Sequence, residues 1–307
     1  MGLIFSRKYF ISSLLLFLNW NFLQVSAIIP QERGDQDCVF MPTVAKIYCY
    51  GGQYYSSVTD ALSNTAVMDT LFISLDLTEQ RTVADLQNAW ERVDRDIGPN
   101  SFFGFAGLPN HNIIFMDGGA GGIDGGRTKV RYKSATFDIE PNNDWSSVTP
   151  ERPGTPVNGH KATLGPDNST IYVWGGLRNN ETGVAMGEDT HPLSMYIFDI
   201  TNTQSPWTTG PAAPESYQYH AAVLVDSSIY YTGGTYRTPS GLIDYVPMNI
   251  VRIYDTSNGQ WSTHPITGSV IPTTRVRHTT TLKPSTGEVI LFGGRGAGKT
   301  CNDKYLL

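Results

Sequence analysis

The sequence predicts an all-β protein built from repeated four-stranded antiparallel sheets. Three observations carry this prediction. Five short apolar runs each end in a Gly-Gly doublet, and the first glycines lie 67, 57, 58 and 60 residues apart. Each of the first four doublets is followed by a second apolar run that ends in Asp. A tryptophan follows each of those Asp residues: Trp90, Trp145, Trp207 and Trp261. Composition agrees. Over 307 residues the chain is 16% charged and 11% aromatic and carries 31 glycines. Such a profile suits short strands joined by tight turns, not helical bundles or disorder.

Residues 1–27 read as an export signal. Arg7 and Lys8 supply the positive start, and Phe10 to Leu18 form a short apolar run. Val25-Ser26-Ala27 offers the small residues of a cleavage site. The run is too short to span a bilayer, and Asn19 and Asn21 follow it. No later segment reaches the ~18 apolar residues of a membrane helix, so a membrane anchor would have to lie beyond residue 307. The remainder, 28–307, reads as one domain in the secretory pathway, extracellular or at the cell surface.

Export exposes cysteines to an oxidising compartment. Cys38 and Cys49 flank a fold centred on Thr43 and Val44, which sets them opposite each other and predicts a disulfide. Cys301 has no evident partner. Two glycosylation triplets begin at Asn168 and Asn180, and Asn180, in a predicted loop, is the stronger. The formal charge is −6, and loss of Arg7 and Lys8 takes it to −8. An acidic chain with no basic stripe argues against a nucleic-acid partner.

The repeat unfolds in order. The doublet runs are Ile47 to Tyr50 before Gly51-Gly52, Ile113 to Asp117 before Gly118-Gly119, and Ile171 to Trp174 before Gly175-Gly176. Ile229 to Thr232 then precedes Gly233-Gly234, and Val289 to Phe292 precedes Gly293-Gly294. The following runs close on Asp76, Asp138, Asp199 and Asp255, where a carboxylate can accept local backbone N–H bonds in a turn. One further strand leads into each later doublet, with Phe103, His160, His220 and His278 at or near its start. Each unit therefore has four strands. A four-stranded blade has two apolar faces and buries them only by packing radially against neighbours.

This pattern of Gly-Gly, a following aromatic and a Trp resembles the kelch repeat, and Pro272, Arg275 and His278 resemble the usual start of its first strand. The resemblance covers roughly 36–307. It extends to secreted fungal kelch proteins and to the central domain of galactose oxidase. It implies a kelch-type β-propeller with about four complete blades and a partial fifth. The fifth unit stops before its Trp strand, which predicts a C-terminally truncated sequence. In this reading the repeat Gly, Trp, Asp and His residues build blades and do no chemistry.

Two other chemistries compete with this reading. Gly293 to Thr300 matches the phosphate-binding pattern G-x-x-x-x-G-K-[ST], but that motif needs a helix after Lys299 and Thr300, and a strand-like tail follows instead. The galactose-oxidase resemblance implies, as an alternative, a secreted copper-radical oxidase with two Tyr, two His and a Tyr–Cys cross-link. Six histidines are present, three of them at the repeat position, and Cys49 adjoins Tyr48 and Tyr50 on a strand where neighbours point apart. No catalytic residue, metal site or cofactor is expected.

Recognition is expected instead. Loops after the second strand of each unit are long: 53–66, 120–133, 177–193 and 235–248. They leave the blades on one side. They carry Tyr54, Tyr55, Arg127, Arg178, His191, Tyr236, Arg237 and Tyr245. Tyr and Arg on loops of a rigid scaffold suit a protein or glycan ligand. The sequence-based expectation is a non-catalytic interaction scaffold.

Overall fold

The computed structural model describes residues 33–306, apart from 55, 58–65, 96, 122–131, 186, 269, 297–298 and 302. The export signal, Tyr55 and Arg127 lie outside the described residues. Four four-stranded antiparallel sheets follow one another along the chain, each in simple sequential order. The first blade pairs Asp37–Met41, Lys46–Tyr50, Phe72–Asp76 and Trp90–Arg92. The second pairs Gly104–Leu108, Ile113–Asp117, Ser134–Asp138 and Asp144–Ser147. The third pairs Asn158–Leu164, Thr170–Leu177, Ser194–Asp199 and Trp207–Ala212. The fourth pairs Ala221–Val225, Ser228–Thr232, Ile250–Asp255 and Gln260–Pro265. A fifth sheet has three strands, Thr279–Lys283, Glu288–Phe292 and Lys304–Leu306. The expected all-β, bladed architecture is therefore what the chain adopts.

First strands of neighbouring blades lie against one another, so they line the axis and the Trp strands lie outermost. The register explains the repeated Trp. Each stands directly opposite the residue before the third-strand Asp: Leu75 with Trp90, Phe137 with Trp145, Phe198 with Trp207, Tyr254 with Trp261. Three of the indoles cover seams. Trp145 lies against Tyr50 and Phe72 of the first blade at ring-centroid distances of 5.7 and 5.5 Å. Trp207 meets Phe115 of the second at 6.0 Å, and Trp261 meets Trp174 of the third at 4.8 Å. Three separate apolar clusters fill the first three seams. Each buried large side chain there contributes about 1.5–3 kcal/mol.

Three of the four Asp residues accept backbone N–H bonds in the turns, as expected, while Asp138 accepts from the Asn142 side-chain amide at 2.6 Å instead. Asp76 and Asp255 each accept the backbone N–H two residues on, from Thr78 at 2.8 Å and from Ser257 at 2.9 Å. Asp199 does the same for Thr201 at 2.9 Å. The Thr78 and Ser257 hydroxyls also donate to these carboxylates, and the hydroxyl bond first and the backbone bond second lower the carboxyl pKa values of Asp76 and Asp255. Cys38 and Cys49 face each other in register and are joined by a disulfide, with Cα atoms 4.1 Å apart. One short helix, Val83–Gln87, was not expected. It forms because Thr82 and Asp85 make a capping box ahead of it.

The doublets bind blade to blade. The second glycine's N–H donates to the segment leading into the next blade: Gly52 to Asn100 O at 2.9 Å, Gly119 to Val157 O at 2.7 Å, Gly234 to Arg275 O at 2.9 Å. Those carbonyls belong to the residues three before Phe103, His160 and His278. The repeat aromatic of one blade thus seats over the doublet of the blade before it.

Candidate functional site

The residue just before each repeat His or Phe is left-handed. Asp35, Phe102, Gly159, Tyr219 and Arg277 all have positive φ, one per blade. Their backbones form a chain of hydrogen bonds around the axis. Phe102 N donates to Asp35 O at 3.1 Å, Gly159 N to Phe102 O at 2.7 Å, Tyr219 N to Gly159 O at 2.7 Å, and Arg277 N to Tyr219 O at 2.8 Å. Glycine at 159 makes room. A Cβ there would stand 2.8 Å from the Tyr219 ring.

The side chains of these residues cap the axial mouth. Phe102 and Tyr219 lie at 5.3 Å between ring centroids. The Arg277 guanidinium sits 4.8 Å from the centre of each ring and 3.0 Å from Asp35 Oδ2. Gln53 Nε2 donates to the same oxygen at 2.7 Å. Burial raises the Asp35 pKa, and Arg277 and Gln53 pull against it. Lys161 Nζ joins Asp37 Oδ2 at 2.7 Å, linking the third blade to the first. A cavity of about 110 Å³ sits among these groups and the rings of His160, His220 and His278.

All three imidazoles are buried, and burial lowers each pKa: well below the ordinary value for His220, to about 3 for His278. They are neutral at pH 7. His160 Nε2 lies 3.2 Å from Asp117 Oδ2 but off the line of a good hydrogen bond. Asp117 is itself committed. Its Oδ1 accepts from Ser134 Oγ at 2.6 Å and from Arg152 Nε at 3.0 Å, with both charges fully buried. Burial would raise the Asp117 pKa, but Arg152 and the neighbouring donors overcome it and hold it at about 2. These residues build the blades. Toward the other end the axis widens to about 650 Å³ between small and aliphatic side chains such as Val39, Ala106, Ala162 and Leu224.

The long loops stand on the same side as the capped mouth, because each is paired to the segment leading into its own blade. Gly34 pairs with Gln53, Asn100–Ser101 with Ala120–Gly121, Gln218 with Thr235, and Val276 with Arg295. Several loops fold as small hairpins. Gln53–Tyr54 meets Val67–Met68, Thr235–Arg237 meets Ile243–Tyr245, and Arg178 bridges Thr190. Leu242 and Ile243 stand 68% and 54% exposed at a hairpin tip.

Within this frame Tyr54 is half-buried beside Val67, and Tyr236 and Tyr245 are half-buried in their hairpin. Arg237 is exposed and donates to Gly241 O at 3.2 Å. Burial and the nearby Arg237 lower the His191 pKa. Arg178 turns inward and donates to the Tyr196 hydroxyl at 2.9 Å. Sequence reasoning passed over Asp35, Phe102, Tyr219 and Arg277. Their signal was position: each directly precedes a repeat aromatic or its counterpart. Asn168 is exposed on a turn, and Asn180 is half-buried in a 3-10 turn on the loop face.

Within the glycine-rich 293–300 stretch Arg295–Gly296 pairs antiparallel with Lys299–Thr300, so Lys299 and Thr300 lie on a strand and not on the first turn of a helix. Among the described residues no three His, Cys, Asp or Glu side chains converge as metal ligands. Cys49 is tied to Cys38 and is not free for a Tyr cross-link.

Blades radiating from an axis, Gly-Gly doublets at the seams and outer-strand indoles define a kelch-type β-propeller. Residues 108–307, more than half of the chain, match the KLHDC2/KLHL20/DRC7 Kelch-repeats domain, and the chain belongs to that family. The solved structure of YjhT is similar in fold, with a TM-score of 0.62 at 14% identity over 89% of this chain and 81% of that one. A sequence comparison with curated proteins gives no match.

Proposed function

We propose that this chain is a non-catalytic recognition scaffold that acts outside the cytoplasm and binds a protein or a glycan. The binding surface is the face that carries the loop hairpins and the axial mouth. One observation carries the reading: paired backbones hold the loops on the same side as a mouth capped by Arg277, Tyr219, Phe102 and Asp35. A rigid face with exposed Leu242, Ile243 and Arg237 presents apolar and cationic groups together. Membership of a kelch-repeat family supports an interaction role. The Cys38–Cys49 disulfide and the export-signal pattern of 1–27 support delivery to an oxidising compartment. Glycosylation at Asn168 and Asn180 belongs to the same reading.

The test is a screen of the full chain against protein and glycan arrays, repeated with two variants. One combines Arg237→Glu, Leu242→Asp and Ile243→Asp. The other, Gln204→Arg, alters an exposed turn on the opposite face. The expected result is a ligand lost by the first variant and kept by the second. A ligand that ignores the first variant removes the loop face from consideration.

A further inference from the structure

Sequence pattern alone favours Asn180 over Asn168 as a glycan acceptor. The folded chain reverses that order. Asn168 stands in the turn between the first two strands of the third blade, Asn158–Leu164 and Thr170–Leu177. That turn lies at the wide end of the axis, where Asn168 shares the rim with Pro109, Gly165 and Pro166. Its backbone is left-handed, with a φ of 57°, a conformation that asparagine tolerates. The residue is exposed, and its side-chain amide makes no hydrogen bond among the described residues. Other groups hold the turn. Asp167 accepts Ser169 N at 3.1 Å, Thr170 N at 3.0 Å and Thr170 Oγ1 at 2.6 Å. His111 of the second blade meets Ser169 Oγ at 3.2 Å. A group bonded to the Asn168 amide therefore displaces nothing.

Asn180 is placed differently. It is half-buried in the 3-10 turn Asn180–Thr182. The acceptor triplet needs a hydroxyl at its third position. Here that residue, Thr182, is 3% exposed. Its hydroxyl donates to Asn179 O and accepts from Asn179 N, each at 2.9 Å. Glu181, between them, accepts from Asn158 Nδ2 at 3.2 Å. The Asn180 triplet is thus packed into its loop, and a glycan there would stand on the face assigned to the ligand.

We infer that Asn168 alone carries an N-linked glycan, so that a hydrophilic oligosaccharide stands at the wide end of the axis and the loop face stays open. This rests on the export reading and narrows its two glycosylation sites to one. The donor is an oligosaccharide held on a lipid pyrophosphate in the secretory pathway. Asn168 Nδ2 attacks the anomeric carbon of that oligosaccharide. A C–N bond forms, the C–O bond to the pyrophosphate breaks, the lipid pyrophosphate leaves, and the amide gives up one proton. Such a chain is bulky and solubilising, and suits an exposed turn rather than a packed loop.

The test is translation of the full chain with endoplasmic-reticulum microsomes. Protection from added protease reports entry. A mobility step removed by peptide N-glycosidase reports a glycan. The expected result is a protected chain with a single step, absent from Asn168→Asp and from Thr170→Val, and present in Thr170→Ser and Asn180→Gln. Aspartate suits the left-handed turn, and Thr170→Val keeps the asparagine while removing the hydroxyl of the triplet, so the two losses have one shared cause. A protected chain without a step overturns the proposal and leaves the export reading standing. So does a step that survives Asn168→Asp and vanishes in Asn180→Gln. Two steps, one lost with each asparagine, overturn the assignment to Asn168 alone. A chain that stays unprotected removes the export reading, and the glycan with it.

Discussion

A Cβ placed on Gly118 would stand 2.3 Å from the carbonyl oxygen of Val157. That carbonyl accepts the N–H of Gly119 at 2.7 Å, so the two blades are joined at the point of closest approach. Gly118 also has a φ of 59°, in the left-handed region. Two penalties coincide there, one steric and one conformational.

Gly118→Ala is therefore expected to destabilise the protein by about 3 kcal/mol or more. Gly187→Ala is the control. It has a comparable φ of 88°, but a Cβ there meets nothing within 4 Å. It should cost only about 1 kcal/mol, the backbone part alone. Denaturant midpoints of the two variants separate the seam contact from the dihedral strain. Equal losses would mean that the close approach between blades contributes nothing.

Asp117→Asn should be among the most damaging polar substitutions. It leaves the fully buried Arg152 guanidinium without its counter-charge, a loss of about 3–5 kcal/mol. Arg152→Met on the same background should recover most of it, because no charge is then left stranded in the interior. Urea unfolding of the single and double variants measures the coupling. The pH dependence has a definite sign. Asp117 is held at about 2, below its ordinary 3.8, so its contribution is complete above pH 4 and is lost as pH falls toward 2.

The blades were legible because their chemistry repeats. The Gly-Gly doublets, the Asp-ended strands and Trp90, Trp145, Trp207 and Trp261 recur in order, and each marks a fixed place in a four-stranded sheet. The Cys38–Cys49 pair was legible for a similar reason, since a hairpin centred on Thr43 and Val44 fixes register by counting. The axial cap was not legible. Asp35, Phe102, Tyr219 and Arg277 share a backbone conformation rather than a side-chain type, and positive φ at a non-glycine residue leaves no mark in composition. The inward turn of Arg178 onto Tyr196 was hidden as well, because it depends on a contact between separate strands.

Arg277→Ala tests the cap. The guanidinium is held between Phe102 and Tyr219 and bonded to Asp35, joining the lead-in segments of the first, second, fourth and fifth blades. Its removal leaves the mostly buried Asp35 carboxylate with Gln53 as its side-chain hydrogen-bond partner among the described residues. Hydrogen exchange should accelerate at the amides of Phe102 and Tyr219 before it does in the strands of the second and third blades. Arg277→Lys should restore the charge but not the planar stacking, and so only part of the protection. Uniform acceleration across all blades would show that the cap does not act locally.

The histidines make the final prediction. His220 is fully buried, neither ring nitrogen has a hydrogen-bond partner among the described residues, and burial puts its pKa well below 6.5. In the unfolded chain it takes a proton near pH 6.5, while in the folded chain it does not. Below that pH the unfolded state therefore binds more protons, and stability falls as pH falls. The slope is about 1.4 kcal/mol per pH unit for one such residue. His278, at about 3 when folded, adds its own loss between pH 6.5 and 3. Phe103 already occupies the equivalent place in the second blade, so His220→Phe fits the repeat while removing the titration. Stability measured by denaturant at steps from pH 7.5 to 4.5 should fall less steeply in His220→Phe than in the parent, by close to one proton's worth. Parallel curves would mean that His220 is protonated inside the fold, and the neutral axial lining inferred for this propeller would be wrong.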